Sequence, residues 1–189
     1  TEPALYPMDL QGATPDDYTQ LAKTLEQEFG RLDGLVHNAA WLGALVPFAN
    51  YENELRLESL QVNLHAPYLL TTACLGLLNA SADASVLFVS DETGRKGKAY
   101  WGAYAVAKAG LENLMQTLAD ELEANTSIRV NSLDTGHVLT SLYRIAYPGT
   151  NSSAVNMPAD MVNPFLYLCS SESTGFTGQQ FSCRDLLGG

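Results

Sequence analysis

The sequence has few cationic residues and no long apolar run. Ten lysines and arginines stand against 21 aspartates and glutamates, which gives a formal net charge of −11 at pH 7. A field of that sign repels nucleic-acid backbones and anionic membrane surfaces, so both are excluded as partners. No apolar stretch approaches the roughly 20 residues that a membrane span requires. The first residues, TEPALYPMD, lack the basic and apolar regions of a signal peptide. We therefore expect a cytoplasmic protein.

Cysteine and histidine are equally scarce. Cys74, Cys169 and Cys183 lie far apart and form no CxxC pair, which is typical of reduced, buried thiols in a cytosolic protein. The three histidines share no metal-ligand spacing, so no metal site is expected. His37 lies in an apolar stretch and is interpreted as a core histidine rather than a base.

Apolar runs alternate with segments of helical spacing along the whole chain. The predicted strands are 5–10, 33–37, 85–90, 127–133 and a short last one within GQQFSCRD. The predicted helices are a first one that begins at Thr14 and ends at Gly30, then 55–78 with a break near Pro67, 101–124, and 158–170 with a bend at Pro164. Such alternation predicts an α/β fold: a doubly wound parallel sheet with helices on both faces, in a single domain that spans residues 1–189.

Polar and small residues follow three of the predicted strands. They are Asn38-Ala39-Ala40, Ser90-Asp91-Glu92-Thr93 and Asp134-Thr135-Gly136. In open parallel sheets, ligands bind beyond the carboxyl ends of the strands. The three segments are therefore where the functional site is expected.

Other conspicuous residues have simpler interpretations. Trp41 and Trp101 flank the expected site, and either pocket lining or ordinary packing explains them. The stretch 142–157 is interpreted as a short loop over a fairly open pocket. The acidic residues of the helix at 101–124 are predicted to form a solvated face: Glu112, Asp120, Glu121 and Glu123.

Five motifs carry a resemblance to a known family. They are HNAA at 37–40, QVNLHAP at 61–67, YAVAK at 104–108, RVNSLDTGHVLT at 129–140 and FTGQQF at 176–181. In order and spacing the set resembles the short-chain dehydrogenase/reductase family, over nearly the whole chain. The resemblance implies a Rossmann-like fold, NAD or NADP as cofactor, and a small carbonyl or alcohol substrate.

The resemblance also implies a catalytic set. Tyr104 and Lys108 lie one helical turn apart on one face, and Tyr104 would act as general acid and base. A nearby ammonium, together with the positive ring of an oxidised nicotinamide, favours the phenolate, so a lowered pKa is expected for Tyr104. Lys108 would also hold the nicotinamide ribose. Asn63 would lie in a helix break and anchor a water of the proton relay.

Further positions match the family's cofactor-binding segments. Asn38 and Ala39 match an Asn-Ala-Gly turn, although Ala40 replaces its glycine. Asp9 matches the acid that meets the adenine. The loop that borders the nicotinamide is matched by Gly136, Val138 and Thr140.

One departure from the family's pattern concerns the active-site serine. It is expected thirteen residues before the tyrosine, and that position holds Asp91. An ionised aspartate only accepts hydrogen bonds, and it would raise the pKa of a neighbouring phenol. Three alternatives remain: Ser90 or Thr93 takes over the role, the site is silent, or Asp91 is held protonated as a donor.

A second departure concerns the glycine-rich turn that cradles the cofactor pyrophosphate in this family. No TGxxxGxG motif occurs in the 189 residues, and the chain begins on what resembles the family's third strand. We expect that the first two strands and their helices are absent from this chain because it is part of a longer one. An intact mass of 20.4 kDa for a molecule that folds and binds NAD(P) would contradict this expectation.

Two functions from different classes follow from these observations. The first is an NAD(P)-dependent oxidoreductase that acts on a carbonyl and secondary-alcohol pair. The second is a catalytically silent dinucleotide-binding or scaffold protein on the same fold. Under both, a homodimer or homotetramer is expected through the two long helices, 55–78 and 101–124, by resemblance to the family. The choice between NAD and NADP depends on a strand that the sequence does not contain.

Overall fold

The computed structural model describes residues 3–151, 153 and 155–188. Four parallel strands form one sheet in the order β1-β2-β3-β4, which is also their order along the chain. The strands are β1 Gly34–His37, β2 Ser85–Ser90, β3 Arg129–Asp134 and β4 Gln180–Ser182. This arrangement confirms the predicted α/β fold with a parallel sheet.

Helices connect the strands and pack on both faces of the sheet. They are α1 Pro15–Phe29, α2 Asn53–Leu60, α3 Ala66–Asn79, α4 Glu92–Arg95, α5 Gly102–Glu123, α6 Ser141–Ala146, α7 Val162–Cys169 and α8 Cys183–Leu186. Short 3₁₀ turns occupy Phe48–Asn50, Pro158–Met161 and Ser171–Ser173. Within the described part of the chain, no helix combines the length and the apolar character that a membrane crossing needs.

The strand residues alternate between two apolar cores. Val86 and Phe88 of β2 point into a core formed with α3 and α5, which contribute leucines and Met115. Leu87 and Leu133 point the other way, into a core with α7 and the start of α8. Because both faces are covered, β2 is buried at every position, as its uninterrupted apolar run predicts.

The predicted break in the second long helix is a π-helical turn. α2 ends at Leu60, residues Gln61–His65 follow with π-helical hydrogen bonding, and α3 begins at Ala66. Pro67 lies in the first turn of α3, directly after the π turn, where its missing N–H removes one hydrogen bond of the continuous helix. π-helical turns are frequent at functional sites, and this one contains Asn63.

The predicted strand at 5–10 is not formed. The described residues of this segment run irregularly and mostly exposed as far as a turn at Leu10, and Leu5 is 87% exposed. A strand needs a neighbour for its backbone hydrogen bonds, and no described strand lies beside this segment. Pro7 also removes one of the donors that such pairing would use. The prediction of a strand here is therefore wrong.

Two other expectations are corrected in detail. Residues 158–170 do not form one helix bent at Pro164: a 3₁₀ turn leads into α7, and Pro164 lies within the first turn of that helix. The stretch 142–157 is not wholly a loop, because α6 covers Ser141–Ala146. Ser152 and Ala154 of that stretch lie outside the described residues.

Candidate active site

A cavity of about 270 Å³ opens at the carboxyl ends of β1, β2 and β3. It is the place where the sequence predicts the site, because the polar segments after these three strands meet there. The predicted site residues that line the cavity are Asn38, Ala40, Ser90, Asp91, Tyr104, Lys108, Gly136, Val138 and Thr140. The structure thus brings nine of the predicted residues together around one space.

Tyr104 and Lys108 lie on the buried face of α5, one turn apart. Their side chains are almost fully buried, at 4% and 2% exposure. Lys108 Nζ donates to the Val89 carbonyl oxygen at 2.8 Å and lies 5.6 Å from the centroid of the Tyr104 ring. Alanines at 103, 105 and 107 leave room for this close packing of α5. The lysine is therefore fixed to the end of β2 with its charge beside the phenol.

Burial dominates the electrostatics of this pair. It raises the pKa of Tyr104, and the carboxylates of Asp91 and Asp134 raise it further. The lowered pKa expected for Tyr104 is therefore wrong as far as the chain's own residues go, and the contribution of an oxidised nicotinamide stays a prediction. Burial also lowers the pKa of Lys108 to about 8, against the opposing effect of Asp91 and Glu112. At neutral pH the site holds a protonated phenol beside an ammonium.

The end of β2 and the segment after it hold both candidate replacements for the missing serine. Asp91 caps α4: its Oδ1 accepts from the backbone N–H of Thr93 at 2.8 Å and from the Thr93 hydroxyl at 2.7 Å. The hydroxyl proton of Thr93 is thus already engaged in a hydrogen bond to Asp91. The Ser90 hydroxyl, by contrast, is buried in the cavity wall and has no hydrogen-bond partner among the described residues. Of the two candidate replacements, Ser90 alone has a proton to offer a ligand.

Close packing fixes α4 against α5. A Cβ at Gly94 would lie 2.8 Å from the Lys108 carbonyl carbon and Cβ, so only glycine allows this approach.

Glu112 is held by three hydrogen-bond donors. Arg95 Nε donates to Glu112 Oε1 at 3.0 Å, and the other carboxylate oxygen accepts from Ser132 Oγ at 2.7 Å and Gln180 Nε2 at 2.9 Å. Glu112 is buried, so its predicted place on a solvated face is wrong. Helical periodicity predicts the helix, but it does not predict that Arg95 pairs with Glu112 and allows its burial.

Asn63 lies behind the cavity rather than in its wall. Its side-chain N–H groups donate to the Trp41 carbonyl at 2.7 Å and the Ser59 carbonyl at 2.8 Å, and its Oδ1 accepts from the Trp41 N–H at 3.0 Å. Asn63 therefore fixes the backbone of the segment after β1. Its expected role in a water relay stays a prediction.

The predicted cofactor residues divide into two groups. Asn38, Ala40, Gly136, Val138 and Thr140 line the cavity with Tyr104 and Lys108. Ala39 instead borders a separate space of about 90 Å³ beside β1, and Asp9 lies in the exposed N-terminal segment. The unpartnered Ser90 hydroxyl, the amide of Asn38 and the ammonium of Lys108 fit the polar nicotinamide end of a dinucleotide. The described residues offer no comparable cradle for its pyrophosphate.

His37 is a core residue, as its apolar setting indicates. Its Nε2 lies 2.7 Å from the Thr71 hydroxyl and its ring stacks on Phe88 at 4.8 Å. Burial, and then the charge of Lys108, lowers its pKa to about 4. His37 is therefore neutral at pH 7.

Sequence reasoning placed the stretch 142–157 over the pocket but did not single out the residues that form one wall of the cavity. Lys98, Tyr143 and Tyr147 line it together with Trp101, for which pocket lining was one of two interpretations. Trp41 does not line it. The available signal was the pair of tyrosines in 142–147, of which the first, Tyr143, lies nine residues after β3 ends.

The chain is similar to many known proteins. A family model described as Enoyl-(Acyl carrier protein) reductase matches residues 2–183. The uncharacterised oxidoreductase YciK of Escherichia coli K12 is 35% identical over 183 residues, which cover 97% of this chain and 72% of that protein. Human dehydrogenase/reductase SDR family member 4 is 28% identical over 174 residues and is covered to 62% of its length.

Solved structures agree with these sequence matches. A short chain dehydrogenase from Pseudomonas syringae is 43% identical with a TM-score of 0.94, covering 96% of this chain and 74% of that one. A short chain dehydrogenase from Shigella flexneri, complexed with NADP, is 34% identical with a TM-score of 0.94, covering 97% and 76%. One from Escherichia coli CFT073, complexed with NADPH, is 36% identical with a TM-score of 0.91, covering 94% and 73%.

Proposed function

Because the chain belongs to the short-chain dehydrogenase/reductase family of oxidoreductases, we propose that it transfers a hydride between NAD(P) and a carbonyl or secondary alcohol. The observation that carries the proposal is the buried Tyr104 phenol beside the Lys108 ammonium, in a cavity at the carboxyl ends of the strands. The NADP-bound relatives support the same cofactor class here. Asn38, Ala40, Gly136, Val138 and Thr140 are the residues proposed to contact it.

Tyr104 acts as the general acid in the reductive direction. A bound reduced nicotinamide supplies the hydride for the carbonyl carbon. The carbonyl π bond breaks, and the phenolic proton of Tyr104 forms the new O–H bond at the substrate oxygen. The raised pKa keeps this proton in place until charge develops on that oxygen. The Lys108 ammonium then stabilises the phenolate, which regains a proton from solvent.

Ser90 takes the role of the family's serine. Its unpartnered hydroxyl donates to the substrate oxygen and stabilises the charge that develops there. Asp91 contributes indirectly, because it holds Thr93 and the start of α4 in place through its two accepted hydrogen bonds. Asn63 positions the segment after β1 through Trp41. Asp9 and Ala39 are proposed as contacts of the remoter part of the dinucleotide.

A silent dinucleotide-binding protein is the second candidate. The carboxylate of Asp91 in the cavity wall favours it, because a negative charge there opposes the developing charge on the substrate oxygen. The two candidates differ in one outcome: Asp91→Ser awakens activity in a silent protein, whereas in the enzyme it changes an activity that is already present.

Deuteride transfer tests the function directly. The protein is incubated with NADPH or NADH deuterated at nicotinamide C4 and a panel of aldehydes and ketones, and the alcohols are analysed by mass spectrometry. The proposal expects one deuterium on the carbinol carbon of at least one product. No deuterium in any product, with label transfer that appears only in Asp91→Ser, would contradict it and favour the silent protein.

The assembly is proposed to be a homodimer or homotetramer in the cytoplasm. Exposed apolar side chains on α2, α3 and α5, namely Leu57, Tyr68 and Val106, support an interface on these helices. Sedimentation equilibrium tests it: the protein is expected to be larger than a monomer, and Val106→Glu is expected to shift it toward the monomer. A wild-type monomer at micromolar concentration would contradict it.

A further inference from the structure

A third buried polar residue follows Tyr104 and Lys108 along α5. Glu112 lies one helical turn after Lys108, as Lys108 does after Tyr104, so the three share one face of the helix. Their exposed fractions are 4% for Tyr104, 2% for Lys108 and 4% for Glu112. Glu112 does not line the cavity. A buried carboxylate is costly unless it is paired, so the partners of Glu112 indicate what it does in this position.

Glu112 joins four elements of the structure. Its Oε1 accepts from Arg95 Nε of α4 at 3.0 Å. Its Oε2 accepts from Ser132 Oγ of β3 at 2.7 Å and from Gln180 Nε2 of β4 at 2.9 Å. Arg95 Nη2 also donates to the Phe181 carbonyl of β4 at 3.1 Å. These contacts tie α4 and α5 to two strands, and we call the residues that make them through their side chains the carboxylate clamp: Arg95, Glu112, Ser132 and Gln180.

The carboxylate clamp reaches the reactive groups through α4. This helix has only four residues, too few to be stable by its own hydrogen bonds. Asp91 caps its first end, directly after Ser90, and Arg95 is its last residue. Between them, Gly94 packs against the Lys108 backbone so closely that no side chain fits. The contacts of Arg95 therefore limit how far the segment that begins at Ser90 can move relative to Lys108.

The carboxylate clamp also places a charge near Lys108. Burial lowers the pKa of Lys108 to about 8, and the carboxylates of Asp91 and Glu112 oppose this effect. The other titratable groups that face Lys108 are the Tyr104 phenol, which is protonated, and the His37 ring of β1, whose pKa of about 4 leaves it neutral. An ammonium whose pKa is this close to neutral is sensitive to the loss of either carboxylate.

We propose that Glu112 is a positioning residue of the active site, which holds Arg95 and α4 against α5 and places a negative charge one helical turn from the Lys108 ammonium. The proposal rests on the proposed function, in which that ammonium stabilises the phenolate of Tyr104. Glu112 acts through Arg95 and Lys108 and not on the substrate. Loss of the contacts loosens α4, and loss of the charge removes part of what keeps Lys108 protonated.

Two substitutions break the same ion pair with opposite effects on the charge near Lys108. Glu112→Gln removes a negative charge and leaves Arg95 unpaired, so the pKa of Lys108 is expected to fall by about one pH unit. Arg95→Gln removes the positive charge and leaves the Glu112 carboxylate unpaired, so the pKa of Lys108 is expected to rise. A clamp that only packed α4 on α5 would not produce shifts of opposite direction.

The pKa of Lys108 is measured by NMR without turnover. Protein with lysine labelled by ¹³C at Cε is titrated between pH 6 and pH 11, and the Lys108 signal is identified by its absence in Lys108→Met. Glu121→Gln, at an exposed position of the same helix, is the matched control and is expected to leave the midpoint unchanged. Thermal unfolding checks folding, because each variant leaves a buried charge unpaired. If Glu112→Gln does not fold, Arg95→Gln is compared with Ser132→Ala, which loses a donor but no charge.

The kinetic measurement follows kcat/KM for carbonyl reduction against pH at saturating NADPH. Wild type is expected to lose activity as the pH rises through the pKa of Lys108, because the phenolate then lacks its ammonium partner. This loss is expected at lower pH in Glu112→Gln and at higher pH in Arg95→Gln. At pH 6, where Lys108 is charged in all three proteins, both variants are expected to be about tenfold slower because α4 is no longer held.

The outcomes separate this proposal from the function on which it rests. Opposite shifts of the Lys108 titration without deuteride transfer to any carbonyl would retain the role of Glu112 and reject the reaction. Deuteride transfer, combined with an unshifted titration in both variants or with shifts of the same direction, would retain the reaction and overturn the role of Glu112.

Discussion

The two halves of the cleft differ in how the chain holds its site residues. On the reactive side, Ser90, Tyr104 and Lys108 are buried and fixed between the end of β2 and α5. On the side of β1, Asn38, Ala40 and the more distant Asp9 are exposed. The difference indicates that, in the part of the chain that the structure describes, the groups proposed to move a proton are held more tightly than those proposed to contact the dinucleotide.

After Tyr104 itself, the largest expected effect separates two hydroxyls on the reactive side. Ser90→Ala removes the donor to the substrate oxygen and is expected to lower kcat about 10²-fold, as loss of one such donor does in other enzymes. Thr93→Ser keeps the hydroxyl that Asp91 accepts and is expected to retain most of the activity. Steady-state kinetics with thermal unfolding as a folding check measure both. A larger loss in Thr93→Ser than in Ser90→Ala would reverse the assignment.

His37 lies at the boundary between the two sides, next to the exposed Asn38, and the pH dependence of stability tests whether it is held neutral. Its pKa is about 4 in the folded protein and about 6.5 when unfolded. Between these pH values the unfolded state binds more protons, so stability falls as the pH falls. The contribution reaches about 3 kcal/mol at pH 4.

Chemical denaturation of wild type and His37→Gln between pH 7 and pH 4 measures this contribution. The variant is expected to lose less unfolding free energy over that range, while His65→Gln, at an exposed position, behaves like wild type. Parallel curves for wild type and His37→Gln would show that His37 is not held neutral.

Packing on the reactive side is tested at Gly94. Gly94→Ala places a Cβ 2.8 Å from Lys108 and is expected to cost about 1–3 kcal/mol of unfolding free energy and to lower kcat through the displaced lysine. Gly97→Ala is the matched control, because its added Cβ meets nothing within 4 Å. Equal denaturation midpoints for the two variants would refute close packing of α4 on α5.

The smallest effect is expected in the N-terminal segment. Leu5 is 87% exposed, so Leu5→Ala should change the unfolding free energy by less than about 0.5 kcal/mol. Leu42 is 4% exposed and packs near Trp101 and Tyr104. Leu42→Ala should therefore lower the unfolding free energy by about 2–5 kcal/mol. Urea denaturation compares the two, and a large loss for Leu5→Ala would mean that the segment packs against something else.

Local patterns predicted what local forces decide. The uninterrupted apolar run of 85–90 predicted both ends of β2 correctly. Gly30, at a φ of 71°, ends α1 at the position that the sequence indicates. The prediction of a strand at 5–10 was wrong because a strand is stabilised by hydrogen bonds to a neighbouring strand, which its own sequence does not reveal. The predicted exposure of Glu112 was wrong because its partners Arg95 and Ser132 are brought to it only by the tertiary fold.

The candidate site was predictable to a similar extent. The carboxyl-end rule and the matched motifs gave nine lining residues, because strand ends meet at one edge in any parallel sheet. The direction of the Tyr104 pKa shift was not predictable, since it depends on burial by elements distant in sequence. Tyr143 and Tyr147 were assigned only to a loop over the pocket, because their place in the cavity wall depends on a helix packing that is formed only in three dimensions.

The central claim is that the Tyr104 phenol, beside the Lys108 ammonium, is the proton donor to the substrate. It is tested most directly by kcat for NAD(P)H-dependent reduction in Tyr104→Phe, with Tyr100→Phe, an exposed phenol four residues earlier, as the matched control. We predict a loss of about 10²–10⁴-fold in Tyr104→Phe and a change of less than about twofold in the control. Turnover at the wild-type rate in folded Tyr104→Phe would contradict the account.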